Sequence, residues 1–341
     1  MSAIVRIEPG GDGIWVIAPE GAPTVLDDAA ALDVAVLEVI GGHLSWSLLA
    51  GQTIPAAVID DLELAQDWLW AVYGERIAVA IADAESGETE FTGEAEPAVP
   101  DLVAAAWRLG FAYWAARWWP ASAIDGITAL DDRLLDEEIA TLRMRCEPLL
   151  DDEPAADETV SAVEIPPRAA DYALAAGGGA DRPAAALSLG HGTAGWDWRR
   201  CPPGLIDASE RAVSWESTRS SGTTTVRITA VAAPQLGSAA PAHLRPRAVI
   251  TTPLGTAEAE LDLIGDLWTG ATSTPSDSVS TVDVYVPGVG LSGAPELGGP
   301  EIRRQIRELA TARLRRATVA DDAVDAPLLA EIAAAASDSD F

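Results

Sequence analysis

The chain has 341 residues and a formal net charge of −31, from 22 basic and 53 acidic side chains. A length of this order predicts about two domains, each with a sizeable core. The negative charge opposes direct binding to nucleic acid or to an anionic membrane, so we expect neither as a partner.

Several kinds of chemistry are excluded by residue types that the sequence lacks. All 22 basic residues are Arg, and there is neither Lys nor Asn. The absence of Lys excludes enzymes that depend on a Schiff-base lysine, a Walker A lysine or a Ser-Lys dyad. The absence of Asn excludes a Cys-His-Asn triad. Two cysteines and three histidines show no metal-ligand spacing, so we expect neither a metal nor a cofactor. No basic and apolar leader opens the sequence, which predicts a cytoplasmic protein.

The charge distribution suggests where one domain ends and the next begins. Residues 1–164 carry a net charge of −25, whereas residues 165–341 carry −6. Between the halves lies an acidic stretch with three prolines, followed by "AAGGGADRP", a composition typical of linkers. We predict an acidic domain at 1–150, a flexible linker at 151–183, a second domain at 184–317 and an acidic, Ala-rich tail at 318–341.

The predicted fold class is α+β, beginning with a mostly helical domain that has a small hairpin or sheet. "IVRIE" and "IWVIAPE" flank the turn "PGGDG", which predicts the hairpin. Apolar residues at helical spacing predict a helix from about Pro55 to Gly74, and "RIAVAIAD" after it reads as a strand. A second helix is expected from Asp101, as N-cap, to Pro120, and a third spans "ITALDDRLLDEEIATLRMRCEPLL".

The second half shows patterns with a period near two and frequent turn residues. Runs such as "TTTVRITAVAAP", "RAVITTP" and "STVDVYVPG" predict short strands in an antiparallel, sandwich-like domain. We predict that this domain ends in the Arg-rich helix "GPEIRRQIRELATARLRRA".

Large aromatic side chains recur on one face of the second predicted helix. Trp107, Phe111, Trp114 and Trp118 occupy positions i, i+4, i+7 and i+11. They are candidate binding residues, since indole rings are favoured anchors at interfaces. The spacing is also typical of a helix that fills the domain core, and that alternative is the favoured one.

Acidic side chains line the polar faces of two predicted helices. Asp60, Glu63 and Asp67 lie on the first, and Asp131, Asp132, Asp136, Glu137 and Glu138 lie on the third. Paired carboxylates can hold a divalent cation, but one helix supplies only part of a coordination sphere. We interpret both sets as solvated faces.

The segment "LSLGHGTAGWDWRRC" combines residue types that catalysis uses. Ser188, His191 and Asp197 are the candidate catalytic residues, with His191 as a base whose pKa lies near neutrality. The segment lacks a nucleophile elbow, so a hydrolase or transferase centred here is the alternative to a binding protein.

The C-terminal helix is the one strongly basic segment of the sequence. Its candidate binding residues are Arg303, Arg304, Arg307 and Arg313. Contact with carboxylates, within the chain or on another protein, is favoured over contact with RNA. The tail that follows, which ends in Phe341, could be a docking peptide or a frayed end.

Together these features predict a non-catalytic adaptor or accessory subunit of a cytoplasmic bacterial complex. It would act through contacts with other proteins, made by the Arg-rich helix, the acidic half and the tail. A second alternative is an acidic mimic of nucleic acid that occupies a basic groove on a partner.

Overall fold

The computed structural model describes residues 3–27, 31–84, 90–150, 187–237, 240–289, 299–317 and 325–338. The chain divides into two compact units. The first comprises Met1–Pro120, Ile127–Glu153 and Pro295–Phe341, and the second comprises Ala121–Gly126 and Pro154–Ala294. The C-terminal helices therefore belong with the first half, whereas the sequence analysis grouped the Arg-rich helix with the second. The predicted linker lies outside the described residues.

A six-stranded antiparallel sheet forms the centre of the first unit. Its strands are β1 (Ala3–Gly11), β2 (Ile14–Pro19), β3 (Val34–Val39), β4 (Gly42–Ser47), β5 (Ala56–Ile59) and β6 (Phe91–Ala95), in the order β3-β4-β5-β2-β1-β6. The prediction of a mostly helical N-terminal domain is therefore wrong. Strand β5 is buried at all four positions, so its sequence lacks the alternation that marks a strand with one solvated face.

The predicted hairpin is confirmed as β1 and β2, which pair antiparallel around the turn at residues 11–13. Gly11 and Gly13 have φ values of 88° and 84°, and Asp12 between them has 50°. A left-handed backbone at three successive positions explains why the turn needs glycines and an Asp.

Two helices joined at Gly74 follow the sheet's first five strands. Helix α1 is Leu62–Tyr73, capped by the Asp61 carboxylate, and helix α2 is Glu75–Ala84. The predicted helix start near Pro55 is wrong, because those residues form β5. The predicted strand "RIAVAIAD" is also wrong, because its residues form α2.

The two other helices predicted for this half are confirmed, with altered ends. Helix α3 is Pro100–Trp118, with Pro100 in its first turn and Val99, not Asp101, as N-cap. Helix α4 is Asp132–Arg145, capped by the Asp131 side chain. Within the described residues, no helix is long and apolar enough to cross a membrane.

The second unit contains the short antiparallel strands that the sequence predicts. Strands β7 (Leu187–Ala194), β8 (Val213–Ser220), β9 (Thr223–Val231), β10 (Arg247–Thr252), β11 (Gly255–Glu260), β12 (Asp262–Ile264), β13 (Leu267–Thr274) and β14 (Thr281–Tyr285) form two sheets. Their orders are β12-β13-β9-β8-β7 and β11-β10-β14. Trp198 and Trp268 are fully buried in this unit.

Two C-terminal helices complete the first unit. Helix α5 is Gly299–Arg316, as the sequence predicts, and helix α6 is Leu329–Asp338. The tail is therefore helical over α6, which packs against α4 and α5.

Candidate protein-interaction site

The aromatic face of α3 forms a stack of rings inside the first unit. Trp107 and Phe111 have ring centroids 5.3 Å apart, and Phe111 and Trp114 have centroids 5.5 Å apart. The Trp114 indole N–H also donates to the Leu32 carbonyl at 2.7 Å. The spacing noted in the sequence thus places these rings against one another and against the core.

Arg313 of α5 completes this stack. Its guanidinium carbon lies 4.0 Å from the Phe111 ring centroid and 5.7 Å from that of Trp107. The guanidinium also donates two hydrogen bonds to Glu331, from Nε at 2.6 Å and from Nη2 at 2.7 Å. Arg313 is 5% exposed, so the structure joins three predicted binding residues, Trp107, Trp114 and Arg313, in one internal cluster.

A second buried carboxylate, Glu138 of α4, holds the start of α6. Glu138 accepts hydrogen bonds from Arg108 Nη2 at 2.5 Å and from the Leu329 backbone N–H at 2.6 Å. The prediction that Glu138 lies on a solvated face is wrong, because it is 5% exposed. A carboxylate at the N-terminus of a helix satisfies an N–H group that the helix itself leaves without a partner.

The other predicted arginines of α5 lie in varied surroundings. Arg303 is buried, Arg307 is half-buried, and Arg304 is exposed. Arg304 donates to Glu301 and Glu308 on its own helix, and these carboxylates raise its pKa further above its usual value. The basic charge of Arg304 is therefore opposed locally by two acids.

Two further predicted binding residues remain. Trp118 is half-buried at the end of α3, with the Arg117 guanidinium carbon 5.1 Å from its ring centroid. Phe341 lies outside the described residues.

The candidate catalytic residues belong to the second unit. Ser188 and His191 are exposed on β7, the edge strand of its sheet, where His191 is in register with Glu216 of β8. The Asp197 carboxylate accepts hydrogen bonds from Arg199 Nε at 3.1 Å and Nη2 at 2.9 Å. Asp197 is thus already paired with a guanidinium, and the imidazole lies on an open strand surface.

The buried carboxylate of this unit is one that the sequence analysis did not single out. Asp207 accepts hydrogen bonds from the Ser122 hydroxyl at 2.7 Å and from the backbone N–H groups of Ala123 and Ser209 at 2.7 and 2.9 Å. These contacts fix residues 121–126 within the second unit, which is a structural role. Across the described ranges, no group of three or more His, Cys, Asp or Glu residues is placed to hold a metal ion.

A half-open, mainly apolar groove lies between α1 and α2 in the first unit. Its volume is about 230 Å³. Its lining is Leu62, Gln66, Leu69, Trp70, Glu75, Ala78, Val79, Ile81 and Ala82. Trp70 is 49% exposed and Val79 is also largely exposed, so two large apolar side chains of the groove face solvent.

Acidic side chains lie in the lining of this groove or next to it in sequence. Glu63 and Asp67 are exposed on α1, and Glu75 is exposed at the start of α2. The one basic residue on either helix is Arg76, whose guanidinium carbon lies 5.9 Å from the Phe91 ring centroid. The surface therefore combines an apolar centre with a negative surround, the arrangement of core and rim found in many protein interfaces.

Sequence reasoning missed this groove because it assigned α2 to a strand. One signal was present: Trp68 and Trp70 are two residues apart, about 200° around a helix, so both cannot face one core. Trp68 is buried and donates its indole N–H to the Ile40 carbonyl at 2.6 Å, which leaves Trp70 on the outer side.

Comparisons of the chain with protein-family models, curated proteins and solved structures find no match.

Proposed function

We propose that this protein is a non-catalytic, cytoplasmic adaptor or accessory subunit, and that it binds another protein through the groove between α1 and α2. The observation that carries the proposal is Trp70, which is 49% exposed at the groove although it is among the largest apolar side chains. Tryptophan is enriched among the residues that supply most of the binding energy at interfaces.

The size and lining of the groove favour a protein side chain over a metabolite. Its volume of about 230 Å³ is below the roughly 300–1,000 Å³ usual for small-molecule sites. Gln66 and Glu75 are the polar members of its lining, too few to orient a polar substrate by several converging hydrogen bonds. An apolar anchor from a partner protein fits these dimensions.

The charge around the groove supports the same kind of partner. Glu63, Asp67 and Glu75 would repel the phosphates of nucleic acid and would attract a protein surface that carries basic residues. The arrangement is local and apolar at its centre, which favours an adaptor over a mimic of nucleic acid. Two buried cysteines without a disulfide agree with a reducing compartment.

Site-specific photocrosslinking in the native cell tests the proposal. A photoreactive amino acid is placed at position 70, and a matched control is placed at Leu254, which is exposed in the second unit. We expect position 70 to crosslink one protein, through a peptide that combines apolar and basic residues, and position 254 to form no such adduct. The proposal fails if position 70 gives no adduct, or if both positions label the same set of proteins.

A further inference from the structure

We propose that the occupant of the groove is an amphipathic helix whose apolar stripe is flanked by basic residues. This inference rests on the proposed function, because it names the kind of partner segment that the groove accepts. It follows from three properties of the site: the groups that line it, the shape of its walls and the charges around it.

The lining groups require an occupant whose backbone is already hydrogen-bonded. All nine lining residues belong to α1 or α2, so the groove presents no strand edge to pair with an extended chain. Gln66 and Glu75 are the lining residues that could form hydrogen bonds with the backbone of a peptide. The other N–H and C=O groups that an extended peptide turns toward the groove would be buried without partners. A helix satisfies its own backbone N–H and C=O groups and therefore enters such a groove at lower cost.

The lining side chains of α1 and α2 have the spacing and the alternation of large and small residues that favour packing of a third helix. On α1 the lining residues Leu62, Gln66, Leu69 and Trp70 fall at i, i+4, i+7 and i+8. On α2 the small side chains Ala78 and Ala82 are one turn apart, so the backbone of a third helix can approach closely between the ridges of larger residues. The lining spans positions 62–70 on α1 and 75–82 on α2, or about 11–12 Å, so a helix of three turns covers the groove.

The charges determine what flanks the apolar stripe of the occupant. Glu75 lines the groove on α2. On α1 the exposed Glu63 and Asp67 each follow a lining residue in sequence, and Arg76 is the single base on these helices. Acidic flanks on the occupant would meet like charges, and basic flanks would meet three carboxylates. The site therefore selects a basic amphipathic helix.

A designed peptide of three turns provides the probe. It carries Leu at i, i+4 and i+7 with Arg at the flanks, and it is compared with a version broken by a central Pro and a version with Glu in place of Arg. Binding to the full-length protein is measured by fluorescence anisotropy, and the helix content of the mixture is measured by circular dichroism. We expect the helical Arg peptide to bind at least about tenfold more tightly than either comparison peptide and to gain helix on binding.

Protein variants assign that binding to the groove. Trp70→Ala and the double variant Glu63→Arg/Asp67→Arg should each weaken it at least about tenfold. Trp70→Phe should retain most of it, and the second-unit controls Leu254→Ala and Glu258→Arg, at exposed sites, should retain all of it. All variants change exposed side chains, and an unchanged thermal midpoint verifies that each is folded.

Equal binding of the three peptides, or binding by none of them, overturns the inference of a basic helix. If the crosslinked partner at position 70 is nevertheless found, the proposed function stands and the occupant has another conformation. If neither adduct nor peptide binding is seen, both proposals fail.

Discussion

At the scale of single residues, the most informative side chains are four charges in the interior of the first unit. Arg313 pairs with Glu331, and Glu138 accepts hydrogen bonds from Arg108 and from the first N–H group of α6. Glu331 also accepts from the Leu328 N–H at 2.7 Å, the backward contact of a capping box. These charges specify where α6 docks, since any shift of α6 would leave a buried charge without its partner.

Replacing Arg313 by Met should lower the free energy of unfolding by about 3–5 kcal/mol, because Glu331 would remain buried without its guanidinium. The double variant Arg313→Met/Glu331→Leu should recover much of that loss, since apolar residues of similar volume replace both charges. Urea denaturation of both variants measures the difference. The exposed Arg304→Met serves as the control and should leave the midpoint almost unchanged. A double variant as unstable as the single one would show that the loss of stability does not come from the unpaired Glu331 carboxylate.

Burial also determines how the two thiols react. Burial raises the pKa of Cys146 to about 11 and raises the pKa of Cys201 still further, against about 8.5 in an unfolded chain. A thiol with a raised pKa favours folding below its unfolded pKa, and this contribution is lost as the pH rises through the folded value. We therefore expect stability to fall from about pH 9 to pH 11, and to fall less steeply in Cys146→Ala.

The reaction of the native protein with a thiol reagent at pH 8 provides a second readout for the cysteines. It should be slow and should accelerate in urea in step with unfolding, because only the thiolate is reactive. Rapid reaction of one thiol in the folded protein would contradict its burial.

At the scale of elements, the segment 75–84 shows how far periodicity predicts structure. Ile77, Val79 and Ile81 alternate with alanines, a pattern with a period of two that also fits a helix rich in Ala. In α2, Ile77 and Ile81 are buried one turn apart, whereas Val79 is largely exposed. The ambiguity is intrinsic to a short run, and tertiary packing decides it.

Other elements were predictable to different degrees. The hairpin at residues 11–13 and the helices α3, α4 and α5 carry strong local signals, and the sequence predicts them. Strands β3 and β4 form a local hairpin around Ile40 and Gly41 that the sequence analysis did not use. Strand β5 pairs with β2, about forty residues earlier in the chain, so no local pattern predicts that pairing. The aromatic face of α3 was visible, whereas its Arg313 partner, about two hundred residues away, was not, because no local pattern links the two.

The one-residue connection between α1 and α2 is Gly74, which has a φ of 85°. A Cβ at this position would lie 2.2 Å from the Glu96 carbonyl oxygen. Backbone strain at a left-handed position costs about 1–3 kcal/mol. Gly74→Ala should lower the free energy of unfolding by more than this, because the added Cβ also collides with Glu96. Gly51→Ala is the matched control, since Gly51 has a φ of 63° and a Cβ added there would meet no atom within 4 Å. Thermal unfolding compares them, and equal losses would show that the contact with Glu96 is not limiting.

At the scale of the whole molecule, the chain returns to its first unit after building the second. Residues 295–341 are grouped with 1–120 and 127–153, so the fold of the first unit requires the last helices of the chain. The tail is therefore part of a packed unit over α6, where Leu328 and Glu331 are buried. The acidic first half and the basic C-terminal helix are thereby joined within one unit, which offsets part of the local charge.

Removing residues 325–341 should consequently loosen the first unit and leave the second intact. The truncation takes Glu331 from Arg313 and the Leu329 N–H from Glu138, so two buried charges lose partners. Hydrogen exchange read by mass spectrometry should show faster exchange in α3, α4 and α5, with unchanged protection in β8 and β9 of the second unit. A matched truncation that ends at residue 338 retains α6 and should behave as the full chain does. Equal loss of protection in both units, or none in either, would contradict the assignment of the last helices to the first unit.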